Sequence, residues 1–280
     1  MIRYFQPEGP LKNIVSAILY LEGLGTGLAL QRVYQNIIIN VGDPFYTSDP
    51  YVDEAAGTTS SSVWINGKHE YPFMLENLGK AAFYVVAVKA GMLPCLIDIP
   101  VSETNENALP AELWTSHNLH ELRESLLVSN NLEANFQLIE AFFTHMLMLS
   151  KLPDPSIIEY INRSLETHTV EDMCRRLGYS RKWVWTTVKK AFGSPVKNMQ
   201  GIIRFNQHLT NIAAAPEAPL SGLHGFYDQA HFINDFKRRT GMTPKHYQLL
   251  CRRFADTRHH PNFIDINKET FLQFRKEQGF

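Results

Sequence analysis

The chain has 280 residues, of which 44% are hydrophobic and 20% are charged. This composition is typical of globular proteins and excludes the disordered, collagen-like and coiled-coil classes. The length suits two domains better than one. Residues 1–150 carry seven Lys and Arg against sixteen Asp and Glu, a net charge of −9, whereas residues 151–280 carry twenty against twelve, a net charge of +8. A basic half beside an acidic half predicts a polyanionic partner for the second half only.

The three cysteines, Cys95, Cys174 and Cys251, have no short spacing between them. Their odd number and wide spacing exclude a disulfide framework and a cysteine-based zinc site, and they fit a reducing cytoplasm. The first ten residues lack the apolar core of a signal peptide, and the longest apolar run, residues 81–88, is far too short to span a bilayer. We therefore expect a cytoplasmic protein with no membrane partner.

The first 110 residues have the pattern of β-structure. Short β-branched or apolar runs alternate with Gly and Pro, and the polar segment 57–62 is expected to be a loop. Such spacing favours an antiparallel barrel or a sandwich. The expected strands cover residues 14–21, 28–33, 36–41 and 82–88.

Two helices are expected to follow the strands. Residues 118–128 have leucines at helical spacing, and residues 132–147 continue the pattern on a second helix with a wide apolar face. That face either packs on the β-structure or forms part of a dimer seam, and the sequence alone does not separate these alternatives.

The best domain boundary is the segment 151–155, which contains two prolines two positions apart. Prolines stop a helix and stiffen a link, and the sign of the net charge changes at the same point. Beyond it the pattern is helical throughout. The predicted units are a β-rich effector-binding or dimerisation domain, a helical domain and a tail with one short helix, at residues 1–150, 151–254 and 255–280.

A helix-turn-helix pattern begins at Val170. The first helix has one apolar face and ends at Gly178, which can adopt the left-handed cap conformation. Ser180 is a good N-cap for the next helix, which closes at Gly193. The inward positions of that second helix are Val184, Val188 and either Ala191 or Phe192. Its opposite face is a single stripe of cations, an aromatic ring and a hydroxyl, and such a stripe could reach base edges and phosphates in a major groove. The stripe consists of Arg181, Lys182, Trp185, Thr186 and Lys189.

The same pattern recurs 48 residues later. A short helix carries Leu220 and Leu223, Asp228 is the N-cap of the next helix, and Gly241 closes it. Phe232 and Phe236 face inward on that helix. The opposite face repeats the offsets of the first copy with Gln229, Ala230, Ile233, Asn234 and Lys237.

A single long helix, residues 196–214, is expected between the two copies. A helix of this length spans about 28 Å, which can hold two recognition helices near the ~34 Å separation of successive major grooves. Each copy alone could be an ordinary helical hairpin with a solvated basic face. Two matched copies on a half with a net charge of +8 favour double-stranded DNA as the partner.

Residues 225–247 resemble the second helix-turn-helix signature of AraC/XylS-type transcription regulators, and residues 155–253 resemble the whole seven-helix DNA-binding domain of that family. The resemblance implies base-facing positions for Gln229, Ala230, Ile233 and Asn234 in the second unit. In the first unit it implies the same for Lys182, Trp185 and Thr186, with Arg181 beside them on the DNA backbone.

The first copy departs from the family pattern at three positions. Thr186 replaces the usual arginine, Val188 replaces the usual phenylalanine, and Pro195 comes one position early. Because an indole cannot accept a hydrogen bond, Trp185 favours an apolar contact such as a thymine methyl group. The N-terminal half is similar to the β-barrel-like sensing domains of the family at residues 11–21, 31–33 and 40–45.

Enzyme motifs are absent from the pattern. A cupin-type metal site needs a His-x-His pair, which the N-terminal half lacks, and the spacing of His117 and His120 comes without a carboxylate partner in the pattern. No nucleophile elbow, Walker loop or dinucleotide fingerprint occurs. We therefore predict no catalytic residue, no metal and no cofactor.

The sequence thus predicts a sequence-specific DNA-binding transcription regulator of α+β class, with an antiparallel β barrel or sandwich followed by an all-α domain. A small effector or self-association as a homodimer would modulate it through the N-terminal domain. Two alternatives stay open, namely a small-molecule-binding or enzymatic barrel with a basic scaffold, and a protein–protein adaptor. The effector, the operator and the choice between activation and repression are not specified by the sequence.

Overall fold

The computed structural model describes residues 1–23, 25–32, 35–52, 57–105, 108–149, 154–220, 229–254 and 260–280, without the side chains of Met148, Leu149 and Gln229. The strands in chain order are β1 (Ile2–Phe5), β2 (Val15–Glu22), β3 (Gly27–Ala29), β4 (Asn36–Asn40), β5 (Phe45–Ser48), β6 (Thr58–Ser60), β7 (Val63–Asn66), β8 (Phe73–Asn77), β9 (Ala82–Val88), β10 (Ala108–Pro110) and β11 (Phe263–Ile264). The helices are α1 (Leu119–Val128), α2 (Leu132–Leu149), α3 (Pro155–Thr167), α4 (Val170–Leu177), α5 (Arg181–Phe192), α6 (Val196–Ala214), α7 (Gln229–Thr240), α8 (Pro244–Arg253) and α9 (Lys268–Gln278).

The strands form two antiparallel sheets. The first has the order β1-β2-β9-β4-β7-β10, and the second has the order β11-β3-β8-β5-β6. The described strands do not close into one barrel, so of the two predicted architectures the sandwich is found, and the predicted α+β class is confirmed. The expected loop at residues 57–62 is wrong in part, because three of its residues form β6 beside β5. These small polar residues occupy a sheet edge, where little apolar burial is needed.

Strand β4, in the interior of the first sheet, is buried on both faces. Ile37 and Ile39 point into the core shared with the helices, whereas Ile38 points toward the second sheet. Successive side chains of a strand point to opposite faces, so an uninterrupted run of isoleucines suits a layer covered on both sides. Between the sheets, the ring of Phe45 contacts those of Trp64 and Phe83 at centroid distances of 5.9 and 5.2 Å.

Helix α2 packs on the outer face of the first sheet. Phe136 stacks on Phe5 of β1 and meets the ring of Tyr84 of β9 edge-on. The amide of Asn135 donates to the hydroxyl of Tyr84 at 2.8 Å. The wide apolar face of α2 is therefore used, at least over this stretch, for packing on the β-structure. A dimer seam stays a prediction.

Two hydrophobic cores divide the helical half between the two sheets. The core of the first sheet continues through α3, α4, α5 and the first part of α6, up to Ile202. The second core begins at Phe205 of α6 and joins α7, α8 and α9 to Leu28 of β3 and Met74 of β8. Each helix-turn-helix region thus packs on its own sheet, and α6 takes part in both cores.

The end of the chain returns to the N-terminal half. Phe263 and Ile264 pair with Ala29 and Leu28, so β11 becomes an edge strand of the second sheet. The expectation of purely helical structure after residue 151 is therefore wrong at this strand, although the short helix predicted for the tail is confirmed as α9. Two residues are too few to show a strand period, so only the distant partner reveals the pairing.

A search for membrane spans among the described residues finds no helix with the length and apolar character to cross a bilayer.

Candidate nucleic-acid interface

The first helix-turn-helix region is fixed by local signals. The hydroxyl of Thr169 accepts from the backbone N–H of Asp172, whose carboxylate accepts in return from the N–H of Thr169, and this pair of bonds starts α4. Helix α4 ends at Gly178 with a φ of 73°, a left-handed cap that favours glycine. The hydroxyl of Ser180 then accepts from the N–H of Trp183 and begins α5. The predicted stop and start residues are confirmed.

Helix α5 is amphipathic in the predicted sense. Val184 and Val188 are fully buried, and both Ala191 and Phe192 are buried with them, which resolves the alternative left open between the last two. The helix ends at Gly193, whose φ of 66° is again left-handed. The helix therefore turns one fixed face to solvent.

The five predicted residues of the first stripe, Arg181, Lys182, Trp185, Thr186 and Lys189, are all exposed. The side chain of Trp185 is 54% exposed, which leaves a large apolar ring uncovered. This ring is therefore not part of the packed core of the helical half.

Two side chains of this first stripe already have intramolecular contacts. Arg181 lies 3.1 Å from the carboxylate of Glu171 on α4, and its guanidinium lies 5.8 Å from the ring centroid of Trp185. The hydroxyl of Thr186 donates to the carbonyl of Lys182 at 2.9 Å. Because its proton is used within the helix, Thr186 presents a methyl group and acceptor lone pairs to a partner.

The second helix-turn-helix region is described from Gln229 onward. The predicted short helix with Leu223 and the predicted N-cap Asp228 lie outside the described residues. Phe232 and Phe236 are buried as predicted. Gly241 ends α7 with a φ of 71°, the same left-handed conformation as Gly193 in the first region.

The second stripe is less uniformly exposed than the first. Ala230, Asn234 and Lys237 are exposed, and Ile233 is half-buried. The side chain of Gln229 lies outside the described residues. The sequence prediction for this face is thus matched in exposure at three positions.

An arginine near the end of α7 faces the protein interior. Arg239 is 6% exposed, lies 2.9 Å from the carboxylate of Asp235, and donates to the side-chain carbonyl of Gln31 in the N-terminal half. Asp235 is also paired with the exposed Arg238 at 2.6 Å. Burial tends to raise the pKa of Asp235, but the hydrogen bonds and charges of the two arginines outweigh burial and lower this pKa.

The β-sandwich contacts both helices at their C-terminal ends, which sequence reasoning missed. A Cβ on Gly193 would lie 3.1 Å from the backbone nitrogen of Ser102, and the carbonyl of Gly193 accepts from the amide of Asn105 at 3.3 Å. A Cβ on Gly241 would collide with the ring of Tyr51, whose hydroxyl donates to the carbonyl of Thr240. No local signal could have shown these contacts, because their partners are about 90 and 190 positions apart.

A large cleft of about 1620 Å³ lies between the two sheets. Its walls include the apolar inner faces of both sheets, and Arg32 and His69 also line it. Burial lowers the pKa of Arg32 from its ordinary value. Burial and the nearby charge of Arg32 lower the pKa of His69 to about 4, so His69 is neutral at pH 7.

The two histidines considered above as metal ligands, His117 and His120, contact other side chains. His120 is paired with the carboxylate of Glu112, a partner that the sequence pattern did not indicate. His117 packs edge-on against the rings of Phe142 and His145. Within the described part of the chain, no group of three or more His, Cys, Asp or Glu residues is placed to hold a metal ion.

Comparisons with known proteins give a structural likeness only. No protein-family model matches the chain, and no curated protein matches it. Among solved structures, ToxT from Vibrio cholerae matches at 12% identity and a TM-score of 0.44, over 89% of this chain and 97% of that one. ToxT bound to (E)-4-(8-methylnaphthalen-1-yl)but-3-enoic acid matches over the same shares at 11% identity and a TM-score of 0.42.

A second similar structure is YcfD, a ribosomal oxygenase from Escherichia coli. It matches at 16% identity and a TM-score of 0.22, over 56% of this chain and 44% of that one. At these identities and TM-scores none of the likenesses carries an argument about what this chain binds or does.

Proposed function

We propose that the chain is a sequence-specific DNA-binding transcription regulator of the AraC/XylS type. The observation that carries the proposal is that α5 and α7 share the same structural features. Helices α5 and α7 are each twelve residues long, each ends in a left-handed glycine, and each buries two positions four apart. Both helices carry a stripe at the same offsets on the opposite face, within a half of the chain that is strongly basic.

The residues of the two stripes have two kinds of role in this proposal, namely contacts to phosphates and contacts to bases. Lys189 and Lys237 would neutralise phosphates and release counterions, which makes affinity fall steeply with salt. Trp185 and Thr186 would present an indole face and a methyl group, which suit a thymine methyl in the major groove. Asn234 offers a side-chain amide, the group that reads adenine by two hydrogen bonds.

The N-terminal sandwich would control how the two helices are presented. It would do so by binding a small effector or by self-association into a homodimer, with residues 1–150 as the sensing unit and residues 151–254 as the DNA-binding unit. This controlling role of the sandwich is supported by the packing of each helix-turn-helix region on a different sheet.

Selection from a random duplex library at about 0.15 M salt tests the proposal. We expect enrichment of a motif with two conserved blocks one helical turn apart, bound at least about a thousandfold more tightly than random DNA. If selected and random duplexes bind equally, or if neither binds, the proposal is wrong. In that case the alternative of a small-molecule-binding sandwich with a basic adaptor would be favoured.

A further inference from the structure

Residues 260–280, which we name the strap, are bound to the second sheet. Their strand β11 pairs with β3, and the backbone N–H of Leu30 donates to the carbonyl of Asn262 at 2.8 Å. The approach of the two strands is close, since a Cβ on Gly27 would lie 2.6 Å from the carbonyl oxygen of Ile264. The strap therefore covers the edge of β3 that would otherwise offer unpaired backbone groups.

Helix α9 of the strap makes further contacts with the sandwich. The guanidinium of Arg275 donates to the backbone carbonyl of Tyr51 at 3.0 Å and lies 4.7 Å from the centroid of the Tyr51 ring. The ammonium of Lys268 donates to the hydroxyl of Ser48, the last residue of β5, at 3.3 Å. The strap is thus bound both to the edge strand β3 and to the region where β5 ends.

The strap is also bound to α8 of the second helix-turn-helix region. The hydroxyl of Tyr247 donates to the carbonyl of Pro261 at 2.8 Å. Near the end of α8, Arg253 lies 2.8 Å from the carboxylate of Glu277 on α9. One segment therefore joins α8 to the second sheet.

Four apolar side chains of the strap take part in the second core, and each is at most 4% exposed. They are Ile264, Ile266, Phe271 and Phe274. In the same core, the fully buried Tyr247 of α8 lies 5.7 Å from Phe236 of α7, measured between ring centroids. Withdrawal of the strap would expose this apolar surface to water and remove packing behind α7, so burial of the four side chains favours the closed strap.

The first helix-turn-helix region reaches the sandwich directly. The ring of Phe192 at the end of α5 lies so near the sandwich that a Cβ on Gly91 would approach it to 2.7 Å. Gly193 meets the backbone of Ser102 in the same way, at 3.1 Å from a built Cβ. Opening of the strap would therefore leave the attachment of α5 in place.

We propose that the strap opens and closes as one unit, and that only its closed form holds α7 in the orientation in which both recognition helices bind one duplex. The ladder of β11 with β3 has only two residue pairs, and the four buried side chains belong to the same short segment, so they leave the core together. A second region that is already ordered loses less conformational freedom on binding. The part on DNA rests on the function proposed above, whereas the opening does not.

Amide hydrogen exchange of the full chain without DNA tests the opening. Gly27→Ala displaces the strap from the sandwich side, because the three atoms nearest to its Cβ all belong to Phe263 and Ile264. We expect exchange at least about tenfold faster in the strap and in α8, and within about twofold of wild type in α5. Gly57→Ala is the matched control, since its Cβ would collide with Tyr46 at the opposite edge of the same sheet.

Three results would overturn the opening as a unit. These are an unchanged strap in Gly27→Ala, equal acceleration of α5 and the strap, or equal acceleration of the strap by Gly27→Ala and Gly57→Ala. Each of them would show that the strap is not a separate cooperative element of the second region.

A reversible disulfide provides the opposite perturbation. Ala29 faces Phe263 at a pair flanked by the hydrogen-bonded pair of Leu30 and Asn262, and such a narrow antiparallel pair suits a disulfide. In the double variant Ala29→Cys, Phe263→Cys, oxidation should slow exchange of the strap and of α8 at least about tenfold relative to the reduced form. Equal exchange in strap and α8 before and after reduction would contradict the link between them.

Binding to the two-block duplex selected above tests the consequence for DNA. We expect Gly27→Ala to weaken binding of this duplex at least about tenfold, and to leave binding of a duplex with only the block read by α5 within about twofold. The oxidised disulfide variant should bind the two-block duplex at least as tightly as its reduced form. If the strap opens and two-block binding is unchanged, the inferred role in DNA binding is refuted. If the wild type binds no DNA, the proposed function fails instead, and the exchange results stand.

Discussion

The two helix-turn-helix regions are attached to different sheets of the sandwich, and the buried polar contact of each has its charged donor on a different side of the boundary. The first is attached largely through apolar packing, since Phe192 and Val188 of α5 belong to one continuous core with the first sheet. A buried polar contact also joins this region to the sandwich, because the ammonium of Lys68 donates to the hydroxyl of Ser194 just after α5. The second region packs on β3 and β8, and there the charged donor is Arg239 of α7, which donates to Gln31 of the sandwich. Apolar packing tolerates little adjustment, whereas a few directional hydrogen bonds can be made or broken as a unit. The comparison indicates that each attachment depends on one buried charged donor, Lys68 in the first region and Arg239 in the second.

Substitutions of the two glycines that end α5 and α7 are the strongest test of how the sandwich restrains these helices. We expect Gly241→Ala to lower the free energy of unfolding by about 3 kcal/mol, because a left-handed alanine is strained and its Cβ would also collide with Tyr51. Gly193→Ala should cost about 2 kcal/mol, since its Cβ would meet Ser102 less closely. Urea unfolding measures both values.

Gly178 is the matched control for these substitutions. Its φ of 73° is as strained for alanine as that of the other two, but no atom lies within 4 Å of a Cβ built there. Gly178→Ala should therefore cost about 1 kcal/mol, the conformational part alone. Equal losses at all three glycines would show that the sandwich does not restrain the helix ends.

Substitutions of the two arginines near the end of α7 test the buried contact of the second region. Arg239→Met should destabilise the protein by about 2–3 kcal/mol, because it leaves Gln31 and the carboxylate of Asp235 without their buried partner. Arg238→Met removes the other partner of Asp235 but is exposed, so a loss within about 0.5 kcal/mol is expected. Chemical unfolding of both variants is the measurement, and similar losses would contradict the buried contact.

The loss of stability in acid should also differ between the wild type and Arg239→Met. The pKa of Asp235 is lower in the folded protein than its ordinary value, so its contribution to stability is present above that ordinary value. The contribution is lost as the pH falls through the folded pKa. We expect the fall in stability below about pH 4 to be smaller in Arg239→Met than in the wild type.

How far the sequence predicts this molecule depends on the distance between interacting residues. Caps such as Ser180 and Gly193 are local, because a side chain and a backbone group a few positions apart settle them, and they were predicted correctly. The exposed stripe of α5 follows from the same local periodicity. Barrel and sandwich were not separable, since strand pattern shows that strands exist but not which of them pair.

The contacts between the sandwich and the helical half could not be predicted from the sequence, for the same physical reason. Gln31 and Arg239 are 208 positions apart, and each taken alone has the composition of a surface residue. Their burial is a property of the pair. The cleft could not be predicted either, because its apolar wall shares the pattern of an ordinary sandwich core.

A base-facing substitution in the second region tests what these helices read. If α7 reads base edges, Gln229→Ala should lose discrimination at one base pair by about 1–3 kcal/mol, with little change in the salt dependence of binding. Trp185→Ala is the counterpart in the first region and should relax preference at a different base pair. Fluorescence anisotropy with single-base variants of the selected duplex measures both. Loss at the same position for both variants would contradict two separate recognition helices.

The smallest expected effect distinguishes phosphate contacts from base contacts. Lys189→Ala should weaken specific and random DNA alike, by about 1 kcal/mol or less, because a phosphate contact carries no sequence information. It should also reduce the slope of log affinity against log salt by about one, since one fewer counterion is released. Lys237→Ala at the equivalent offset of α7 should behave in the same way if both helices lie in the groove in the same orientation. If only one of the two lysines alters the salt slope, the two regions approach DNA differently, and the equivalence drawn from their sequences does not extend to their docking.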